Sequence, residues 1–199
     1  YLHDLPGGTA ASTGTTLNGR AVASFSSAGS QYVTDTTNDS RVYVSRNSYT
    51  IILLARPTAA SAPAGAVYNN QALVGDLSTN YGIVFSTSGA KAYQYGTGAD
   101  AIAAYYETEW IPCDVGSWHV FALVYDGSTM SLYVDRLKAT KGNVPNMAVP
   151  SYFSVARSFS TTYADVDIAE VMVSKNAYTW QTIEPIVERY FNLSYNLAL

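Results

Sequence analysis

Cysteine is almost absent from this chain. Cys113 is the only one in 199 residues, so no internal disulfide can form. That does not decide the redox compartment, because a domain of this length removes roughly 70% of its unfolded surface from water and needs no staple. Charge is scarce too: Asp, Glu, Lys and Arg make up 13% of the residues, about half the usual share. The 11 Lys and Arg are scattered and the net charge is −4. With no basic stripe to neutralise phosphates, the expectation is no nucleic-acid partner. Long apolar runs are also missing. The longest, around Ile51 to Ala55, is strand-sized and far short of the roughly 20 residues that span a bilayer, so no membrane insertion is expected. Histidine occurs only as His3 and His119. A nucleophilic Cys113 would need one of them as its base. Cys113 follows Pro112 in a loop pattern while His119 falls in a strand pattern, so an inert, partly buried thiol is expected. The chain opens on Tyr1 without Met or leader, as a processed product, an excised domain or the ordered part of a longer protein would.

What is present is aromatic and neutral-polar. Seventeen Tyr stand among Ser, Thr, Asn and Gly, a composition that makes neutral hydrogen bonds and offers flat aromatic faces. Short β-branched and aromatic runs alternate with turn residues. They predict strands at Arg20–Phe25, Gln31–Thr34, Tyr49–Arg56, Ala66–Val74, Tyr81–Ser86, Lys91–Tyr95, Ile102–Tyr106, Trp118–Tyr125, Met130–Val134, Tyr152–Val155 and Val166–Ser174. No helix interrupts the series, which argues for an all-β sandwich over any βαβ fold. Residues 1–199 fit one domain. One short helix is expected near the C-terminus, where Ile183, Ile186, Val187, Tyr190 and Phe191 follow a 3.6-residue period. Thr182 would cap it, Pro185 would lie in its first turn, and the helix would sit on an edge of the sandwich.

Three segments carry more than composition. Trp118–Thr140, WHVFALVYDGSTMSLYVDRLKAT, holds two strands joined by Asp126-Gly127-Ser128 and then a second turn at Asp135-Arg136. Asp165–Leu197 begins DVDIAEVMV and ends in an aromatic helical stretch, and Asn18–Asp35 reads NGRAVASFSSAGSQYVTD. Their order and spacing resemble the hairpin, closing strand and opening strand pair of laminin G-like domains in the concanavalin A-like lectin/glucanase superfamily. Arg136 stands where that pattern has a turn glycine, and Ser154-Val155-Ala156-Arg157 replaces its I-G-x strand ending. The resemblance implies a jelly roll of two packed antiparallel sheets; fold alone does not imply function.

Three candidate sites follow. Asp165, Asp167 and Glu170 resemble the acidic motif of glucanases in that superfamily, whose chemistry needs two carboxyl groups about 5–5.5 Å apart. By strand alternation Glu170 has the opposite parity to Asp167, and only a β-bulge would bring it round. The expectation is therefore a structural carboxylate and no enzyme. Asp35, Asn38 and Asp39 form a loop cluster of hard oxygen ligands that would suit Ca²⁺, the candidate cofactor. Tyr93, Tyr95, Tyr105, Tyr106 and Trp110, interleaved with Gln94, Asp100 and Glu107, have the makings of a glycan platform: rings for sugar C–H faces, amides and carboxylates for hydroxyls. The functional expectation is a non-catalytic module recognising a glycan or cell-surface polysaccharide, displayed in several copies, extracellular or on a virion surface. The alternative is a structural protein of a virus particle, such as a phage, held by contacts with other virion or surface proteins. A glycoside hydrolase comes third.

Overall fold

A computed structural model describes residues 7–9, 12–34, 46–76, 80–97, 103–147, 153–158 and 162–197. In chain order the first strands are β1 (Gly7–Thr9), β2 (Ser12–Leu17), β3 (Arg20–Phe25), β4 (Tyr32–Thr34), β5 (Tyr49–Pro57), β6 (Gln71–Asp76), β7 (Tyr81–Ser86) and β8 (Gly89–Thr97). There follow β9 (Ala103–Glu107), β10 (His119–Tyr125), β11 (Met130–Val134), β12 (Leu137–Lys141), β13 (Phe153–Val155), β14 (Arg157–Ser158), β15 (Thr162–Tyr163) and β16 (Val166–Ser174). Sheet A runs β1-β4-β13-β6-β7-β8-β9 and sheet B runs β12-β11-β10-β5-β16-β3-β2, with β14 and β15 forming a separate ribbon. Every pairing between them is antiparallel. This is the sandwich that the strand pattern predicts, in the two-sheet jelly-roll form that the laminin G-like resemblance implies.

The central strands of sheet B explain the apolar runs of the sequence. Tyr49, Ile51, Leu53 and Ala55 of β5, with Phe121, Leu123 and Tyr125 of β10, pack between the sheets against Tyr81, Ile83 and Phe85 of β7. Their alternates, Ile52, Leu54, Val120, Ala122 and Val124, are buried on the opposite face. Strands covered on both sides have no polar alternation to show. Each Val, Leu, Ile or Phe side chain among them contributes roughly 1.5–3 kcal/mol. A polar link crosses the interior: the Tyr49 hydroxyl donates to Gln94 Oε1 at 2.9 Å, and Gln94 Nε2 donates to the Pro145 carbonyl at 2.7 Å. Burial pushes the Tyr49 phenol well above its ordinary pKa, so it stays a donor.

What covers the outer face of sheet B is the C-terminal helical segment. It starts earlier than the periodicity predicts, at Trp180 after Thr179, as α1 (Trp180–Pro185). It then widens into a π-helical segment (Ile186–Phe191) and ends as α2 (Asn192–Tyr195). Pro185 thus closes the α-helical turns instead of opening them; lacking an N–H, it cannot continue the i→i−4 ladder, and the wider turn follows it. Ile183, Val187, Phe191 and Tyr195 are the residues that bury. They seat the segment on β5 and β10, so it lies across a face of the sandwich, not along an edge.

Other departures are local. Val67–Asn69 is a 3₁₀ turn, not the start of a strand. Its cause is Asn70, whose side chain accepts from Ala64 N–H and donates to the Val67 carbonyl. The strands β1, β2, β12, β14 and β15 lie outside the predicted set. Two non-glycine turns take the place of the glycines in the laminin G-like pattern. In the β11–β12 turn only Asp135 has a positive φ, 53°, so Arg136 is not strained. Ala156 adopts φ 61°, a left-handed backbone that costs an L-residue about 1–2 kcal/mol.

Candidate functional site

The aromatic stretch divides by strand alternation. In β8, Lys91, Tyr93 and Tyr95 point away from the sandwich interior; Ala90, Ala92 and Gln94 point into it. The register pairs Tyr93 with Glu107, Tyr95 with Tyr105 and Gln94 with Tyr106. Tyr93, Tyr95, Tyr105 and Glu107 therefore share the outer face of sheet A, while Tyr106 packs against the core between the sheets. Gln94 likewise serves the interior link described above. Asp100 lies outside the described residues.

Tyr93 is the floor of this face. It is fully buried, in a cluster with Val67, Ala72 and Val84, against which Tyr68, Tyr105 and Trp110 pack half-buried. Gly82 makes room for the ring: a Cβ there would meet Tyr93 Cε1 at 2.8 Å and the Val74 carbonyl at 2.9 Å, which is why a glycine interrupts a central strand. Above the floor, Tyr105 is the hub. Its ring centroid is 4.8 Å from Tyr68, 5.0 Å from Tyr95 and 5.9 Å from Tyr93. Beside it the Lys91 ammonium sits 4.8 Å over the Trp110 ring and donates to Glu107 Oε2 at 3.0 Å. Trp110 itself is held by the loop that follows β9: Ile111 and Ala90 exchange backbone hydrogen bonds at 2.9 and 2.8 Å. The arrangement offers half-exposed rings with one compensated ion pair at their margin, suited to apolar C–H faces and neutral hydroxyls. Tyr68 and Lys91 were not among the sequence candidates. Tyr68 falls where the sequence reads as strand, and only the 3₁₀ turn brings it over Tyr105.

The acidic motif is placed differently from its sequence expectation. A bulge does occur in β16: Ile168 pairs with Ala55 and Glu170 with Leu54. Asp167 and Glu170 consequently face the same outer side of sheet B, and the parity argument against them does not hold. Their partners are structural nonetheless. Asp165 accepts from the Ser27 backbone N–H at 2.9 Å and its hydroxyl at 2.7 Å. Asp167 is buried and ion-paired to Arg56, whose Nε donates at 3.0 Å. Glu170 accepts from the hydroxyls of Tyr190, at 3.0 Å, and Tyr195, at 2.7 Å. Burial, and then the carboxylate it serves, raise the Tyr195 phenol pKa and keep it a donor.

Cys113 is half-buried, and burial, with Asp135 and Asp114 nearby, pushes its thiol up to about 12. His119 does not face it as a base; its ring nitrogens meet Asp135 Oδ2 at 2.8 Å and the Asp114 carbonyl at 3.2 Å. Asp35, Asn38 and Asp39 lie outside the described residues. Among the described residues no three His, Cys, Asp or Glu side chains converge as a metal site.

The architecture is that of a jelly-roll domain of the lectin and glucanase type. Residues 17–184 match the laminin G model of the concanavalin A-like lectin/glucanases superfamily, and the chain belongs to that family. Comparison with curated protein sequences gives no significant match. Among solved structures, the chain resembles domain 4 of an extracellular arabinanase from Geobacillus stearothermophilus, in complex with arabinotriose. That match has TM-score 0.64 and 16% identity and covers 91% of this chain and 88% of that one. It also resembles the binding domain of Paraclostridial Mosquitocidal Protein 1 (TM-score 0.66, 12% identity), covering 94% of this chain and 48% of that one. The receptor-binding domain of botulinum neurotoxin type G matches at TM-score 0.60 and 9% identity, over 94% and 46%. This chain thus spans about half the length of the two toxin chains. Similarity at these identities is a similarity of fold.

Proposed function

We propose that this chain is a non-catalytic glycan-recognition module and that its ligand lies on the outer face of sheet A, against Tyr68, Tyr95, Tyr105 and Trp110. The observation that carries the reading is the convergence of the half-buried Tyr68 and Tyr95 rings on Tyr105, with Trp110 packed on the same cluster, over a floor built by Tyr93 above Gly82. Membership of a superfamily that includes lectins supports it, as does the fold shared with an arabinanase domain in complex with arabinotriose. The structural engagement of Asp165, Asp167 and Glu170 supports a binding role over hydrolysis. Display outside the cell fits this reading, and among the described residues no helix is long and apolar enough to cross a membrane.

A glycan array probed with the purified domain tests the proposal. At least one glycan should be retained, and Tyr105→Ala or Tyr95→Ala should weaken it by about two- to tenfold per ring. Retention that is indifferent to both substitutions would place the ligand elsewhere on the molecule.

A further inference from the structure

Taking the glycan reading as its basis, we infer that the ligand of this face is a single chain of neutral sugars in solution, not the flat surface of a crystalline polysaccharide. The rings that would receive it share no plane. Tyr68 is tilted 39° from Tyr105, and Tyr95 is tilted 48° from Tyr105. Stacking between a sugar and a ring gains its energy from parallel contact, so a rigid planar array of sugars lying flat on Tyr105 cannot also lie flat on Tyr68 or Tyr95. A solvated chain turns at each glycosidic linkage and presents successive sugars at different angles, which suits rings tilted in this way. The tilt is built in, because Tyr95 and Tyr105 are cross-strand neighbours on a twisted sheet and Tyr68 is fixed by its 3₁₀ turn.

Charge narrows the class further. Beside these rings stands Lys91, a cation that is committed twice: to Glu107 at 3.0 Å and to the face of Trp110 at 4.8 Å. An anionic sugar on these rings would have to break that pair or accept the repulsion of Glu107. Neutral hydroxyls can use the outer lone pairs of Glu107 at no such cost.

Affinity electrophoresis through soluble neutral polysaccharides (arabinan, galactomannan, xyloglucan, mixed-linkage glucan) and soluble anionic ones (polygalacturonate, alginate) tests this, run beside sedimentation with crystalline cellulose and chitin. The expected result is retardation in at least one neutral gel, none in the anionic gels and no depletion by the crystalline solids. Tyr105→Ala should reduce the retardation by about tenfold, while Tyr105→Phe, which keeps the ring, retains most of it. Depletion by crystalline cellulose or chitin, or retardation confined to the anionic gels, would overturn the inference and leave the glycan reading intact. Failure in every arm, with far-UV circular dichroism showing a folded domain, would overturn both.

Discussion

His119 has the Asp135 carboxylate on one ring nitrogen and the Asp114 carbonyl on the other. Both partners are acceptors, so satisfying both requires both nitrogens to carry hydrogen, which only the imidazolium does. Burial works against that charge, but Asp135 and the neighbourhood of Asp114 outweigh it and raise the pKa. A pKa raised on folding stabilises fully below the unfolded value of about 6.5. The contribution is then lost as pH rises through the higher folded value. The denaturant midpoint should fall over that window, and His119→Gln should flatten the fall. A midpoint insensitive to pH in the wild type would show that the imidazole is neutral here. Cys113 is the opposite case. Lifted to about 12 by burial and two nearby carboxylates, its thiol should carry about a thousandth of an ordinary cysteine's thiolate near pH 8. Iodoacetamide should therefore label the native protein slowly and the denatured protein at a normal rate. Rapid native labelling would mean the loop around Cys113 opens.

At the scale of elements, the C-terminal helical segment depends on sheet B for its cover and supplies cover in return. Tyr133 of β11 stacks on Trp180 with centroids 4.8 Å apart and planes 19° apart. Trp118 is half-buried at the same interface, with the Arg56 guanidinium 5.2 Å over its ring. These two aromatics of the Trp118–Thr140 hairpin thus hold the helix to the sheet, rather than the two sheets to each other. Glu170 is the polar counterpart, reached by two tyrosine hydroxyls from the π segment and α2. Glu170→Ala should cost about 1.5–3 kcal/mol, the usual value of hydrogen bonds to a charged group, and should raise hydrogen exchange in residues 186–195 before the rest of the chain. A loss of stability spread evenly over both sheets would argue against this local role. Tyr190 and Leu193 remain exposed on this segment, which marks its solvent side.

For the molecule as a whole, charged residues are few and the net charge is −4. Binding through rings and neutral hydrogen bonds releases few counterions, so affinity should change little between low and high salt. One small aromatic site binds weakly, and linked copies raise avidity by about 10²–10⁴ without a new contact. Retention on a glycan-coated surface should therefore be far stronger for a multimerised domain than for the monomer, and both should tolerate salt. Equal retention of monomer and multimer, or elution by moderate salt, would contradict this.

Much of the sandwich was legible because its strands carry their own signals. The doubly buried runs of β5 and β10 read as apolar blocks, and Asp126-Gly127 announces the β10–β11 hairpin. The β2–β3 hairpin was legible in principle, since Asn18 and Gly19 take positive φ in a two-residue turn; β2 itself is Ser- and Thr-rich and lacks an apolar face to read. β12 escaped notice for a similar reason, as an edge strand exposed along most of its length. Local sequence grouped Tyr93, Tyr95, Tyr105 and Tyr106 as one platform, and only the register of β8 on β9 turns Tyr106 to the core. It could not determine that Tyr68 swings over Tyr105, that a bulge at Ala169 turns Glu170 outward, or that the helix lies across a face. Each of those depends on which surface of one element meets another far away in the chain, and tertiary packing decides that by burying the most apolar area while leaving no buried donor or acceptor unpaired.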